Sequence, residues 1–187
     1  MRFGLALLLC VAGSAASGAP AAYMLDPVHS FIHFEVMHFG TSTLRGRIGP
    51  VDGFVELDRD AGKGSVSLQI HTGSVDTGMA FFDARLRQSD LLASEANPVA
   101  YFVASSFDFD AGWLRAVRGE LTWRGVSQPL ELRATRFGCH THPTLQREVC
   151  GGDFEGDLKR GDFGASFGMP FVANRVHLVV QVEGIRQ

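Results

Sequence analysis

"SFIHFEVMHFG", Ser30 to Gly40, carries apolar side chains at Ile32, Phe34 and Val36, with His33 and Glu35 between them. A period of two sends successive side chains to opposite faces of an extended strand, whereas a helix needs a period near 3.6. The pattern recurs along the chain. Val66, Leu68 and Ile70 alternate with Ser67 and Gln69. Val117, Gly119, Leu121 and Trp123 alternate with Arg118, Glu120, Thr122 and Arg124. Leu130, Leu132 and Ala134 alternate with Glu131 and Arg133, and Val176 to Val182 repeats the pattern, broken only by Val179. Short runs of this kind, punctuated by Gly, Asp and Pro, predict an all-β antiparallel sandwich or barrel. The 22 glycines suit its turns and bends. One stretch differs. Between Met79 and Ser94, Phe82, Leu86 and Leu92 stand among charged residues, which predicts one or two helical turns ending near Asn97-Pro98.

The start of the chain reads as an address. Arg2 is followed by an apolar run from Gly4 to Val11 and then by Ala, Ser and Gly up to Ala22. That order describes a secretory signal peptide, and the run is shorter than the roughly 20 residues that span a bilayer. Cleavage after Ala21 avoids placing Pro20 beside the scissile bond, so the expected organisation is a signal peptide over 1–21 and one domain over 22–187. Removing Arg2 from the 17 basic side chains leaves 16 against 20 acidic ones, with no basic cluster. Nucleic acid is therefore not an expected partner. Cys139 and Cys150 remain as an even pair in an oxidising compartment, which predicts one disulfide. The competing reading is two free or metal-binding thiols.

Two short motifs point to catalysis and fail on context. "GASFG" (164–168) matches a hydrolase nucleophile elbow, but Pro170 follows almost at once where that elbow needs a helix. "DFG" (162–164) lacks the Gly-rich loop and lysine strand of a kinase. His140 and His142 sit two apart beside the cysteines. A zinc site usually wants four fixed ligands, which a disulfide would deny it, so no metal is expected. His29, His33 and His38 do not share a face, because His38 has the opposite parity. No spacing proposes an acid/base pair, and neither a catalytic residue nor a cofactor is expected.

Longer stretches carry a family resemblance. "YMLDPVHSFIHFEVMHFG" (23–40) resembles the opening signature of the YceI-like family of bacterial periplasmic proteins. "FFDARLRQSDLLASEANPVAYFVASSF" (81–107) resembles that family's Asp-x-x-Leu-Arg-Ser helix and Pro-x-x-x-Phe strand. "GELTWRGVSQPLELRA" (119–134) resembles its Gly-x-Leu-Thr hairpin, with Ser127 for Thr, and "LKRGDFG" (158–164) its Arg-x-Asp-Phe-Gly segment. Two features depart from the pattern. Leu91-Leu92 stands where many members carry paired phenylalanines, and the insert between Phe137 and Gly152 resembles only a subset.

The resemblance implies a lipocalin-like antiparallel barrel of about eight strands whose apolar lumen holds a polyisoprenoid or isoprenoid-quinone chain. By parity the lumen residues are Ile32, Phe34, Val36, Leu68, Ile70, Leu121, Trp123, Leu130, Leu132, Leu178 and Val180. Phe81, Phe82 and Leu86 are expected to cap one end, with Phe102 and Phe171 adding aromatic wall. The expected role is a periplasmic carrier, serving a stress response and touching membranes transiently. Whether it works alone or as a homodimer is open. Two alternatives stand beside this reading: a lipid hydrolase or isomerase using the same barrel, and an interaction protein whose barrel is simply filled by side chains.

Overall fold

The structure, a computed structural model, describes residues 19–187. The signal peptide expected over 1–21 therefore lies almost wholly outside the described residues. Ten strands follow: β1 (Ala21–Leu25), β2 (Phe31–His38), β3 (Ser42–Ile48), β4 (Val51–Asp58), β5 (Lys63–His71), β6 (Val99–Asp110), β7 (Trp113–Trp123), β8 (Val126–Thr141), β9 (Glu148–Lys159) and β10 (Arg175–Arg186). A helix of two turns, α1 (Ala80–Leu86), lies between β5 and β6, inside the stretch where the period changes.

All neighbours are antiparallel, and the sheet closes on itself because β10 pairs with both β9 and β1. Ten strands make eight positions around the barrel. The first half of β10 pairs with β2, Leu178 facing Phe34, and its end pairs with β1, Ile185 facing Met24. β1 and β2 are thus two lengths of one position, parted by a corner at 26–30. β3 and β4 form the next position in the same way, parted at the cis peptide Gly49–Pro50.

The residues that carried the opening signature build these corners. Ser30 is completely buried; its hydroxyl donates to Glu183 O and accepts from Glu183 N, both at 3.3 Å. Its carbonyl accepts from Val51 N at 3.0 Å, so one residue fastens both corners to β10. Asp26 accepts from Val28 N at 3.0 Å and holds His29 Nδ1 at 2.7 Å, which fixes the turn that precedes it.

β3 separates from β5 at the corner, and the segment after β5 fills the gap. Arg47 and Asp76 exchange two backbone hydrogen bonds of 2.9 Å, and Gly49 N donates to Ser74 Oγ at 3.0 Å. From Thr77 to Pro98 the backbone pairs with no strand. That segment, the β2–β3 turn, the β7–β8 turn and the β9–β10 connection all lie at one end of the barrel, here called the upper end. The start of β1, the C-terminus and the β8–β9 hairpin lie at the lower end.

Cys139 and Cys150 face each other across β8 and β9 and are joined by a disulfide.

Candidate functional site: an apolar lumen in two chambers

The inward face of the barrel does not fill its interior. An upper cavity of about 170 Å³ lies beneath the 72–98 segment, and its wall is apolar throughout. Each contributing strand sends alternate residues into it: Ile32, Phe34 and Val36 from β2, Leu68 and Ile70 from β5, and Leu121 and Trp123 from β7. Leu130 and Leu132 enter from β8, Leu178 and Val180 from β10, Phe102 from β6, and Leu86 from α1.

Phe34 reaches the lumen over Gly46 on the neighbouring strand. A Cβ at that position would lie 2.4 Å from Phe34 Cζ, so any larger residue there would displace the ring from where it now lies.

Two residues expected to cap one end, Phe81 and Phe82, and one expected in the wall, Phe171, do not line the cavity. Phe81, Phe82 and Phe171 are 76%, 41% and 63% exposed. Phe171 stacks on Phe39, itself exposed, with ring centres 5.3 Å apart. On α1 only Leu86 turns inward, because a helix this short presents a single residue to the barrel while Phe81 and Phe82 stay on its outer side. These aromatics, with Met79, Phe167 and Met169, leave the upper end studded with exposed apolar side chains. Leu91 and Leu92, the departure from paired phenylalanines, do line the cavity.

Ile48, Val75, Ala100, Leu158, Ala165 and Val176 complete the wall with Thr72 and Arg160. Val176 shares the parity of Leu178 and was readable from it. Leu158 was not: β9 carries Gly151, Gly152 and Gly156, which interrupt any alternation. At Gly156 a Cβ would meet Glu131 O at 2.6 Å, so the glycine permits close approach of β8.

The two polar residues of the wall turn their polar atoms away. Thr72 Oγ1 donates to Asn97 O at 2.7 Å. Arg160, 5% exposed, has no carboxylate partner and instead donates to four carbonyls. Nε reaches Ala173 O at 2.9 Å, Nη1 reaches Ala165 O at 2.6 Å and Phe167 O at 2.9 Å, and Nη2 reaches Val172 O at 2.8 Å. Burial lowers its pKa, but a guanidinium remains charged at any physiological pH. One side chain thereby shapes the whole β9–β10 connection.

A second arginine joins that connection to the 72–98 segment. Arg124 donates to Phe163 O at 2.8 Å and to Ser89 O and Leu91 O, each at 2.7 Å. Trp123 Nε1 donates to Leu92 O at 3.2 Å and its ring packs on Phe163. Arg85 forms a bidentate pair with Asp90 and lies 3.8 Å above the Phe167 ring. The upper rim is thus held by side chains together with short backbone bridges, Phe39 N to Phe171 O at 2.7 Å and Ala173 N to Met37 O at 2.9 Å among them.

Below the upper cavity lies a second, of about 80 Å³, with walls from Leu25, Val55, Leu57, Phe107, Phe137 and Phe154 among others. Leu68, Phe102, Leu132 and Val180 line both. Tyr23 stands at the lower chamber and donates to Glu148 Oε1 at 2.6 Å. Burial, and then the Glu148 carboxylate, push its pKa up to about 12.

Among the described residues one group of potential metal ligands clusters: Cys139, Glu148 and Cys150. Both sulfurs are spent in the disulfide. His142 Nδ1 accepts from Thr144 N and Leu145 N at 3.2 and 3.1 Å, so that histidine shapes the β8–β9 turn, while His140 is exposed.

The YceI-like domain family matches residues 23–184, nearly all of the described chain. The chain belongs to the YceI-like family. Protein YceI of Escherichia coli O157:H7 is 33% identical over 177 residues, which cover 93% of this chain and 92% of that one. Among solved structures, the Campylobacter jejuni YceI protein superposes with a TM-score of 0.69 at 21% identity, over 81% of this chain and 90% of that one. A polyisoprenoid binding domain from Saccharophagus degradans superposes with a TM-score of 0.65 at 18% identity, over 89% and 99%. The YceI-like barrel is therefore the fold of this chain, as the family resemblance implied, where the alternating strands alone left sandwich and barrel open.

Proposed function

We propose that this YceI-like protein is a periplasmic carrier that holds the chain of an isoprenoid lipid or isoprenoid quinone in its lumen. The observation that carries the reading is the upper cavity, whose wall offers hydrocarbon only while exposed aromatics surround it at the same end. An engineered cavity of about 150 Å³ lined by Leu, Ile and Phe stays dry and takes up benzene, so a lumen of this kind favours an apolar guest over water. Each buried CH₂ contributes roughly 0.8 kcal/mol. A five-carbon isoprene unit then contributes on the order of 3–4 kcal/mol, and a few units exceed an association cost of about 4–15 kcal/mol. Affinity needs no polar anchor, and the polar headgroup stays at the mouth. The polyisoprenoid binding domain with the same fold supports the choice of guest.

Binding is favoured over catalysis because the wall presents no nucleophile, acid or base. The Thr72 hydroxyl and the Arg160 guanidinium are engaged with backbone carbonyls. The exposed aromatics suit brief contact with a membrane during loading.

The test is organic extraction of protein purified from the periplasm, followed by mass spectrometry of both fractions. The expected result is a stoichiometric isoprenoid and a polypeptide that begins at Ala22. A protein without extractable lipid that also takes up no polyprenol in vitro overturns the reading.

A further inference from the structure

The lumen is not one continuous tube, and its division has a consequence for which guests fit. Leu68 on β5, Phe102 on β6, Leu132 on β8 and Val180 on β10 line both chambers, so they form the ring between them. All four are buried, and Phe102, at 2% exposed, is the bulkiest. The lower chamber has the character of a chain-binding space, with aliphatic and phenyl walls, and the ring stands between it and the upper chamber. At its lower end stand Tyr23, tied to Glu148, and Cys150, tied to Cys139.

We infer that this ring is the lumen's length gauge: it stops the apolar end of the bound chain, and Phe102 sets the longest isoprenoid accepted. The inference rests on the lipid-carrier reading and adds the specificity determinant to it. A chain that fits the upper chamber is fully desolvated when its last unit meets Phe102. One more unit must remain at the mouth in water, and so adds no affinity. Cutting Phe102 back to its Cβ joins the chambers and gives that unit a dry place. Because burial of each CH₂ is worth several-fold in affinity, the gain for the added unit is on the order of a hundredfold or more.

The experiment measures dissociation constants for a ladder of polyprenols, each longer by one isoprene unit, by competition with a fluorescent polyene fatty acid. Three delipidated proteins are compared: wild type, Phe102→Ala, and Phe102→Ala with Val117→Phe. Val117 lines only the lower chamber and pairs with Phe107, away from the Leu121 that faces Phe102, so the added ring fills the lower chamber that the first change makes reachable. Wild type is expected to gain affinity along the ladder up to one length and then level off. Phe102→Ala should level off at least one unit later, whatever its offset on the shorter chains, and the double variant should return to the wild-type plateau. A plateau that stays in place in Phe102→Ala, or affinities that fall in parallel for every length, would overturn the gauge while leaving the carrier reading intact. Wild-type protein that binds no polyprenol would overturn both. Near-ultraviolet circular dichroism of each variant, matched to wild type, establishes that folded proteins are being compared.

Discussion

Replacing Arg160 by methionine removes the centre of the β9–β10 connection while keeping an apolar stem of similar reach. Four carbonyls, those of Ala165, Phe167, Val172 and Ala173, lose their donor. Each buried acceptor left without a partner costs about 1–3 kcal/mol. Water reaches some of them once the connection loosens, so the lower figure applies to most, and the sum is about 4 kcal/mol. Against this stands the relief of a buried charge that lacks a carboxylate partner, which offsets about 1 kcal/mol or more. The expected net loss is about 3 kcal/mol, a large share of the 5–15 kcal/mol that holds a typical domain together. Urea denaturation read by tryptophan fluorescence measures it, since Trp123 packs on Phe163 within the affected region. Arg160→Lys, with three donors on a point charge in place of five in a planar fork, should lose about half as much. A loss below 1 kcal/mol in the methionine variant, with an unchanged denaturant slope, would show that the guanidinium does not organise the upper rim.

Three further outcomes follow from the same geometry. Cys139→Ser/Cys150→Ser opens a link across a sequence separation of 11, and chain entropy puts the loss near 3 kcal/mol; equal urea midpoints for the variant and the oxidised protein would contradict it. Leu132, buried in the ring, and Arg133, exposed on the next residue, give a test of facing: Leu132→Gln should lower bound lipid per mole of protein and Arg133→Glu should not, so equal lipid loss in the two folded variants would refute the inward assignment. The last concerns pH. Tyr23 has its pKa raised to about 12, so the native state holds that proton where the unfolded chain, near 10, has lost it. Its contribution is complete below about pH 10 and lost between about 10 and 12, and Tyr23→Phe should flatten the alkaline limb of stability against pH. His29 is raised by its hydrogen bond to Asp26, which is itself lowered. That pair contributes most between about pH 4 and 6.5 and fades on either side, which a two-dimensional NMR titration of His29 will read as a midpoint above that of a free histidine.

The alternating strands were legible because they are half of a simple arrangement, with lumen on one side and solvent on the other. β2, β5, β7, β8 and β10 each declare this in their residues. β3 does not, since Thr43, Leu44, Arg45, Gly46 and Arg47 lack an apolar series, and only its partner strand fixes its place. β9 is concealed by glycines whose purpose is close approach to neighbours, visible once the strands are assembled. The exposure of three phenylalanines has another cause. Burial follows from hydrophobicity only in one direction, because surfaces also carry apolar atoms, and Phe81, Phe82 and Phe171 are outward on an end that has reason to be apolar. The ring between the chambers was invisible in sequence for the opposite reason. Leu68, Phe102, Leu132 and Val180 look like any other inward residue, and only their level along the barrel axis distinguishes them.

The gap between β3 and β5 has a final consequence. Residues 77–98 complete the wall of the upper chamber, yet none of their backbone groups takes part in the strand ladder that closes the barrel. The part of the chain that greets a guest and the part that keeps the barrel standing are therefore separately editable. Substitutions such as Leu91-Leu92 for paired phenylalanines change the shape of the entrance without disturbing a single rung. A scaffold arranged in this way can be retuned toward new chains by exchange of one surface segment, which makes the barrel a natural starting point for engineered carriers of apolar cargo.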